Sequence, residues 1–494
     1  MQQRTLKSLY DLHSWIGVVV GLVLYVVCVS GVVALFAQEL EPWARKDLRP
    51  PVTDAGPALD GAVAQTIKAM REGGATAAGL RFTVDLPTRY RPTVSVQYRA
   101  GPARTERTLT VDAPSRAEVP VPAESPNAML TRLHTDLLLP SPYGRYVVGA
   151  FGLVMLISVI TGTLLHRKML ADLFTLRAGR SLRLFWTDLH KSVGLWGLPF
   201  HFMLALTGAI LGFSGPAVRI AAYLAFGGDA GAVSAAMFGS SPPPLGIAAT
   251  MLPPSVLLAR AVEALPGFVP EMLLAFNYGD AHGVIEFLGN RPGALVYYLS
   301  VVVDGATGEI VRITDWSEEG FGRRIYAMVT PLHYASYGGI ALKVLYAVLG
   351  TGTCLVIVAG LNLWLARPAD ASTLSRRILP KLTSGVFYGF PAATAVIFWL
   401  HHLVPGLPIV AVFLAMCALA AAWPWLRGRE RGACDLLGLT GVLLATLPLF
   451  TLLASGRASS AYASPPVLVT EVAALCLGAG LVYAAVRRRP VEAR

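Results

Sequence analysis

Eight long apolar runs decide what this chain can fold into. They fall at about residues 15–37, 145–166, 192–213, 340–365, 384–403, 407–426, 436–454 and 467–486. A helix needs roughly 20 apolar residues to cross a bilayer, and each run is about that long. Composition agrees: 54% of the 494 residues are hydrophobic, only 14% are charged, and mean hydropathy is +0.56. The expected class is an all-α polytopic membrane protein with about eight transmembrane helices. The first run is too long for a signal-peptide core, and no small-residue cleavage site follows it, so it reads as a retained helix.

The net charge of +11 could suit nucleic acid, but the cations sit in alternate short loops. Arg4 and Lys7 precede the first run. Arg167, Lys168, Arg177, Arg180, Arg183 and Lys191 lie between runs two and three, and Arg367, Arg376, Arg377 and Lys381 between four and five. Arg427, Arg429 and Arg431 follow run six, and Arg487, Arg488 and Arg489 follow run eight. By the positive-inside rule both termini are cytoplasmic. The partner these charges imply is the lipid bilayer, with no nucleic acid.

Two long loops, about 38–143 and 214–336, then lie outside. Each has a helix-like stretch (58–70 and 255–264) followed by period-two alternation (81–85, 93–98, 107–111; then 272–277, 283–288, 297–303). Each reads as a small α+β domain with an antiparallel sheet. Pro120 to Pro126 and Pro242 to Pro244 read as linkers. None of the five Cys lies in these loops, so no disulfide is expected. No Cys-x-x-Cys-His occurs, which excludes covalent c-type haem, and no Cys cluster suits an iron–sulfur centre.

The chain also repeats itself. Asp11-Leu12-His13 is followed by Gly17 and Gly31, and Asp188-Leu189-His190 by Gly194 and Gly208 at the same spacings. His134 stands before Gly162 and His333 before Gly360, at spacings that differ by a single position. Residues 1–166 and 180–366 therefore read as two parallel copies of helix, external domain, helix. Runs five to eight lie outside the repeat.

Six His line the first four runs. His13, His166 and His190 fall near the cytoplasmic face, and His134 and His333 near the outer face. His201 follows His190 in the same run. On a straight helix it would be about 16 Å deeper, rotated by only about 20°. Low-spin b-type haem takes two neutral imidazoles, and Gly17, Gly21, Gly194 and Gly197 leave room for a flat macrocycle. One haem cannot bridge a core about 30 Å thick, so two haems are expected. Symmetry pairs His13 with His190 and His134 with His333. His166 and His201 face Trp364 and Leu24 in the other copy, so they are ligands in one half only or support other ligands. Zinc or copper is the rival, with Asp11 and Asp188 as further donors. His401-His402 reads as interfacial and His282 as a surface residue.

Several of these motifs resemble the PepSY-associated transmembrane family. They are Asp188-Leu189-His190, Gly194-Leu195-Trp196, Leu198-Pro199-Phe200-His201 and Leu206-Thr207-Gly208. Thr161-Gly162 with His166-Arg167-Lys168, Asp172-Leu173-Phe174-Thr175-Leu176-Arg177, and Pro331-Leu332-His333 with Tyr337-Gly338-Gly339 are also similar. Val303-Asp304 with Thr307-Gly308-Glu309-Ile310 resembles the end of a PepSY domain, and Val111-Asp112-Ala113-Pro114-Ser115 is a degenerate copy. The resemblance covers about residues 1–368. It implies di-haem proteins of the bacterial inner membrane that reduce ferric siderophores, or other ferric chelates, in the periplasm.

The expected layout is therefore helix 1 (1–37), a periplasmic PepSY-like domain (38–143), helices 2 and 3 (144–213), a second such domain (214–336), helix 4 (337–368) and a four-helix extension (369–494). The expected function is a b-type di-haem cytochrome. Its ligands are drawn from His13, His134, His166, His190, His201 and His333, and no catalytic side chain is assigned. No G-x-G-x-x-G follows a strand in the cytoplasmic loops, so a separate cytoplasmic reductase or a membrane quinol must supply electrons. Two other readings stay open: a non-redox PepSY regulator of peptidases, and a transporter subunit. The second lacks an Asp or Glu relay in the apolar runs.

Overall fold

The computed structural model describes residues 3–44, 55–75, 80–88, 90–100, 105–113, 115–119, 124–166, 169, 173–177, 180–367, 373–404, 406–449 and 465–488. Arg167, Lys168 and Asp172 of the motifs above, Pro114, Arg489, much of the Pro120–Pro126 linker and the end of the seventh run lie outside them. The described chain forms two units. One holds residues 1–46, 123–213 and 340–494; the other holds 47–122 and 214–339.

The first unit is helical. Its elements are α1 (Gln3–Ala34), α2 (Ala37–Ala44), α4 (Pro126–Asp136), α5 (Tyr143–Leu165), α6 (Leu182–Trp196), α7 (Leu198–Gly212), α12 (Gly339–Leu365), α13 (Leu374–Leu403), α14 (Ile409–Arg427), α15 (Arg429–Thr446) and α16 (Pro465–Arg488). Among the described residues six helices are long and apolar enough to cross a membrane, or up to eight if each of two bent pairs is one span. The protein is thus a polytopic membrane protein. The run expected at 436–454 meets α15, which opens on Arg429, Glu430 and Arg431 and is not one of the six.

Small residues set the helix spacing. Gly149 of α5 lies against Gly212 of α7, Gly385 of α13 against Ala421 of α14, and Gly441 of α15 against Gly478 of α16. Without a Cβ these backbones approach closely, which substitutes for the missing hydrophobic drive between helices in lipid. The extension joins the repeat through α1, where Tyr25 Oη donates to the Phe387 carbonyl at 2.9 Å.

The expected straight third helix is broken. α6 and α7 meet at Gly197 with a 71° bend. Pro199 stands in the first turn of α7, where it lacks the N–H that would continue the α6 ladder. The straight-helix placement of His201 relative to His190 therefore fails.

The second unit is built on one sheet. Its strands are β1 (Leu80–Asp85), β2 (Thr93–Ala100), β3 (Thr105–Asp112), β4 (Glu118–Val119), β5 (Val269–Tyr278), β6 (Val284–Asn290), β7 (Leu299–Asp304) and β8 (Ile310–Asp315). They run antiparallel in the order β4-β3-β2-β1-β5-β6-β7-β8. Strands from both loops thus share one sheet, joined where Val84 of β1 pairs with Leu273 of β5. Two helices, α3 (Gly56–Glu72) and α10 (Pro254–Ala264), contribute Leu59, Val63, Leu257 and Ala261 to one core with Val84, Val96, Phe287 and Val301. Asp60 of α3 ties them together by accepting from Ser255 N at 2.8 Å and Ser255 Oγ at 2.6 Å. Three further helices complete the unit: α8 (Ser214–Ala225), α9 (Ala230–Phe238) and α11 (Phe321–Tyr334). α8 and α9 form the second bent pair, at 102°.

Asp280 pins a turn of this unit. Its carboxylate accepts from the main-chain N–H of His282, Leu245 and Gly246. These bonds hold its pKa below the usual carboxylate value, the His282 N–H foremost. A lowered folded-state pKa adds stability above the usual value and loses it as pH falls through the folded value. Asp280→Asn is accordingly expected to lower the thermal midpoint of the full chain at neutral pH. The difference should close in strong acid; a gap that is the same at both pH values would refute this role.

Candidate functional site: histidines seated on helix glycines

Three His share one local geometry. His13 of α1 donates from Nδ1 to the Ser158 carbonyl of α5 at 3.1 Å, with Thr161 Oγ1 at 3.2 Å. His190 of α6 donates to the Val356 carbonyl of α12 at 2.8 Å. His134 of α4 donates to the Val27 carbonyl of α1 at 2.8 Å. In each case the residue one turn further along the accepting helix is glycine: Gly162, Gly360 and Gly31. A Cβ at Gly162 or Gly360 would stand 3.1 Å from the ring Cε1, and one at Gly31 would stand 2.7 Å from that of His134. The glycine therefore opens the surface on which the imidazole lies, and the carbonyl fixes its rotation.

This tether also fixes the tautomer. With Nδ1–H bound to a carbonyl, Nε2 carries the lone pair, which is the form a metal requires. The His13 and His190 rings are neighbours, with centroids 6.1 Å apart and planes at 73° in an edge-on arrangement. Two imidazoles on one metal ion, each bonded at about 2.0–2.1 Å, put their ring centres about 6 Å apart. The pair thus has the spacing of two axial ligands.

Around them lies a cavity of about 660 Å³, in the range of roughly 300–1,000 Å³ common for small-molecule and cofactor sites. His13, His190, His166 and His201 all line it. So do Gly17 and Gly194, where an added Cβ would meet nothing within 4 Å. Leu24 and Trp364, the repeat counterparts of His201 and His166, also line it. Lys191 and Arg367 also line it, while among the described residues no carboxylate does. His166 caps the C-terminus of α5.

His134 belongs elsewhere. Its contacts on α1, Val27 and Gly31, lie about 21–27 Å along the axis from His13 at ~1.5 Å per residue. Burial lowers its pKa, and the Val27 bond opposes that only in part. His333 is on α11, in the other unit. Both are near the end of a short helix closed by a left-handed residue, Leu137 (φ 51°) after α4 and Ala335 (φ 53°) after α11. The sequence puts both near the outer face, ahead of runs two and four; in the structure each sits on a short helix of its own.

A model of the family described as the PepSY-associated TM region matches residues 10–367. The chain belongs to this family. An uncharacterized protein of Pseudomonas aeruginosa is 31% identical over 340 residues, covering 64% of this chain and 84% of the relative.

The PepSY-associated TM region ends within the short segment between α12 and α13, so α13–α16 stand outside it. It includes every seated histidine described above. It also includes Asp188, whose carboxylate accepts from Arg177 N, Nε and Nη2 at 2.8, 2.9 and 2.7 Å. Asp188 is thus committed to holding the preceding loop, which takes it from the donors a zinc or copper ion would need. Among the described residues no group of three or more His, Cys, Asp or Glu is placed to hold a bare metal ion. Two imidazoles at this spacing suit a metal whose other ligands come from a macrocycle.

In the sequence Gly31, Gly162 and Gly360 stand out only as markers of register. Their contact with the rings is hidden there, because each glycine serves a His on another helix. Of the four glycines read as space-givers, Gly17 and Gly194 stand beside open space, whereas Leu361 fills the space at Gly21 and the His201 ring that at Gly197.

Proposed function

We propose that this protein is a membrane cytochrome that binds b-type haem and delivers electrons to a ferric chelate outside the cytoplasm. The observation that carries the proposal is the His13–His190 pair, with each ring tethered by Nδ1, seated on a glycine and set 6.1 Å from the other. His13 and His190 would be the axial ligands. Gly17 and Gly194 leave the flat space beside them, and Lys191 and Arg367 supply positive charge for haem carboxylates. When bound, a bis-imidazole haem exchanges single electrons without changing its ligands. The carbonyls of Ser158 and Val356 hold both rings turned so that Nε2 is the nitrogen left for a metal.

His134 has the same tether and seat about one membrane thickness further along α1. It would serve a second, outer haem. A substrate of the ferric-siderophore class fits this reading, because reducing Fe(III) lowers its charge density and loosens hard oxygen ligands. The test is the visible spectrum of the detergent-purified protein before and after dithionite. A sharp reduced b-type spectrum that a ferric chelate reoxidises is expected. A colourless preparation from cells supplied with haem would sink the proposal.

A further inference from the structure

A second cavity lies on the far side of His201. Its volume is about 650 Å³, and its walls include Phe36, Val193, Trp196, Val344, Val348 and Leu355. Four of these are outward-facing: Val348 is 63% exposed, Trp196 61%, Val344 51% and Leu355 44%. On a membrane helix bundle such a surface meets lipid. The cavity therefore opens to the bilayer, where an aqueous reductant cannot enter.

Its polar groups are few and mostly engaged. Trp196 Nε1 donates to the Leu173 carbonyl at 3.0 Å, and Thr351 Oγ1 to Ala347 at 2.8 Å. His201 differs. The residue is only 4% exposed, and its Nε2 has no hydrogen-bond partner among the described residues. The ring bonds the Gly194 backbone, so Nε2 is left as an acceptor. A buried acceptor without a donor is costly, and a ligand hydroxyl would relieve it. An acyl tail offers no such hydroxyl. His201 also lines the cavity of His13 and His190, so a ligand bonded to it sits beside that pair.

We infer that this cavity holds the head group of a membrane quinol, with a ring hydroxyl donating to His201 Nε2 and the isoprenoid tail leaving between α6 and α12 into lipid. As the electron donor, the quinol rests on the haem reading above; its binding does not. His201 is then a quinol-binding residue rather than a haem ligand.

The test is equilibrium binding of decyl-ubiquinone to the full chain in detergent, with haem content measured on the same samples. Saturable binding of about one quinone per protein is expected. His201→Leu should weaken it at least tenfold, and Val348→Trp, which lies outside the His13–His190 cavity, should abolish it at unchanged haem content. Uptake that never saturates, or is equal in all three proteins, overturns the proposal. So does a His201→Leu protein that loses haem but binds quinone normally. A colourless protein with saturable, His201-dependent binding would retain the quinol site and defeat the haem reading alone.

Discussion

Replacing His13 or His190 with alanine is expected to remove about one of about two haems per protein, as pyridine haemochrome would count them. Each substitution deletes a donor that the opposite ring cannot replace, since His13 and His190 reach the cavity from different helices. The two single variants and the double variant should lose the same amount, because either removal empties one shared site. Independent, additive losses would mean that the rings serve different metals, and the 6.1 Å pair would then be a packing contact. His134→Ala should remove the remaining fraction and leave the signal of the His13–His190 site in place.

The second large effect comes from residues that carry no ligand atom. Gly360→Leu and Gly162→Leu are expected to deplete the same haem as the histidine substitutions. A Cβ at either position would already stand 3.1 Å from the ring, inside the contact optimum of about 3.5–4.0 Å. The remaining leucine atoms can only take the place of the imidazole. The ring must then leave its carbonyl, and the lone pair loses its aim. Gly360→Ala displaces the ring by less, and haem affinity should fall about 10–100-fold, the range seen when a group supporting a metal ligand is lost. Gly61→Ala, where nothing lies within 4 Å, is the matched control. Full haem retention in Gly360→Leu would show that the glycine seat is incidental.

Much of this was legible in the chain because membrane physics leaves loud signals. Apolar runs mark spans, and a His that returns in register marks a repeated site. The break at Gly197 was harder to see, since Pro199, just ahead of His201, sits inside an unbroken apolar run. The short helices that present His134 and His333 are quieter still, being brief, interrupted by polar residues and ended by non-glycine residues. The join between β1 and β5 brings together strands from two different loops, matched by nothing but their alternation. The link between a His and the glycine it rests on had no local trace. It shows only as a relation between helices, with a carbonyl at one position and a glycine one turn later.

That β1–β5 join has a further consequence. The two strands are equivalent members of the two copies and pair antiparallel, as like elements do across a two-fold axis. A single copy would carry β1 as a bare edge, open to whichever strand it met first. In such an ancestor, completing the sheet would have required an encounter between molecules and would have depended on their concentration. Carrying both copies in one polypeptide makes that encounter intramolecular. What would have been a dimerisation equilibrium becomes a folding step, with the same outcome however scarce the protein is in its membrane.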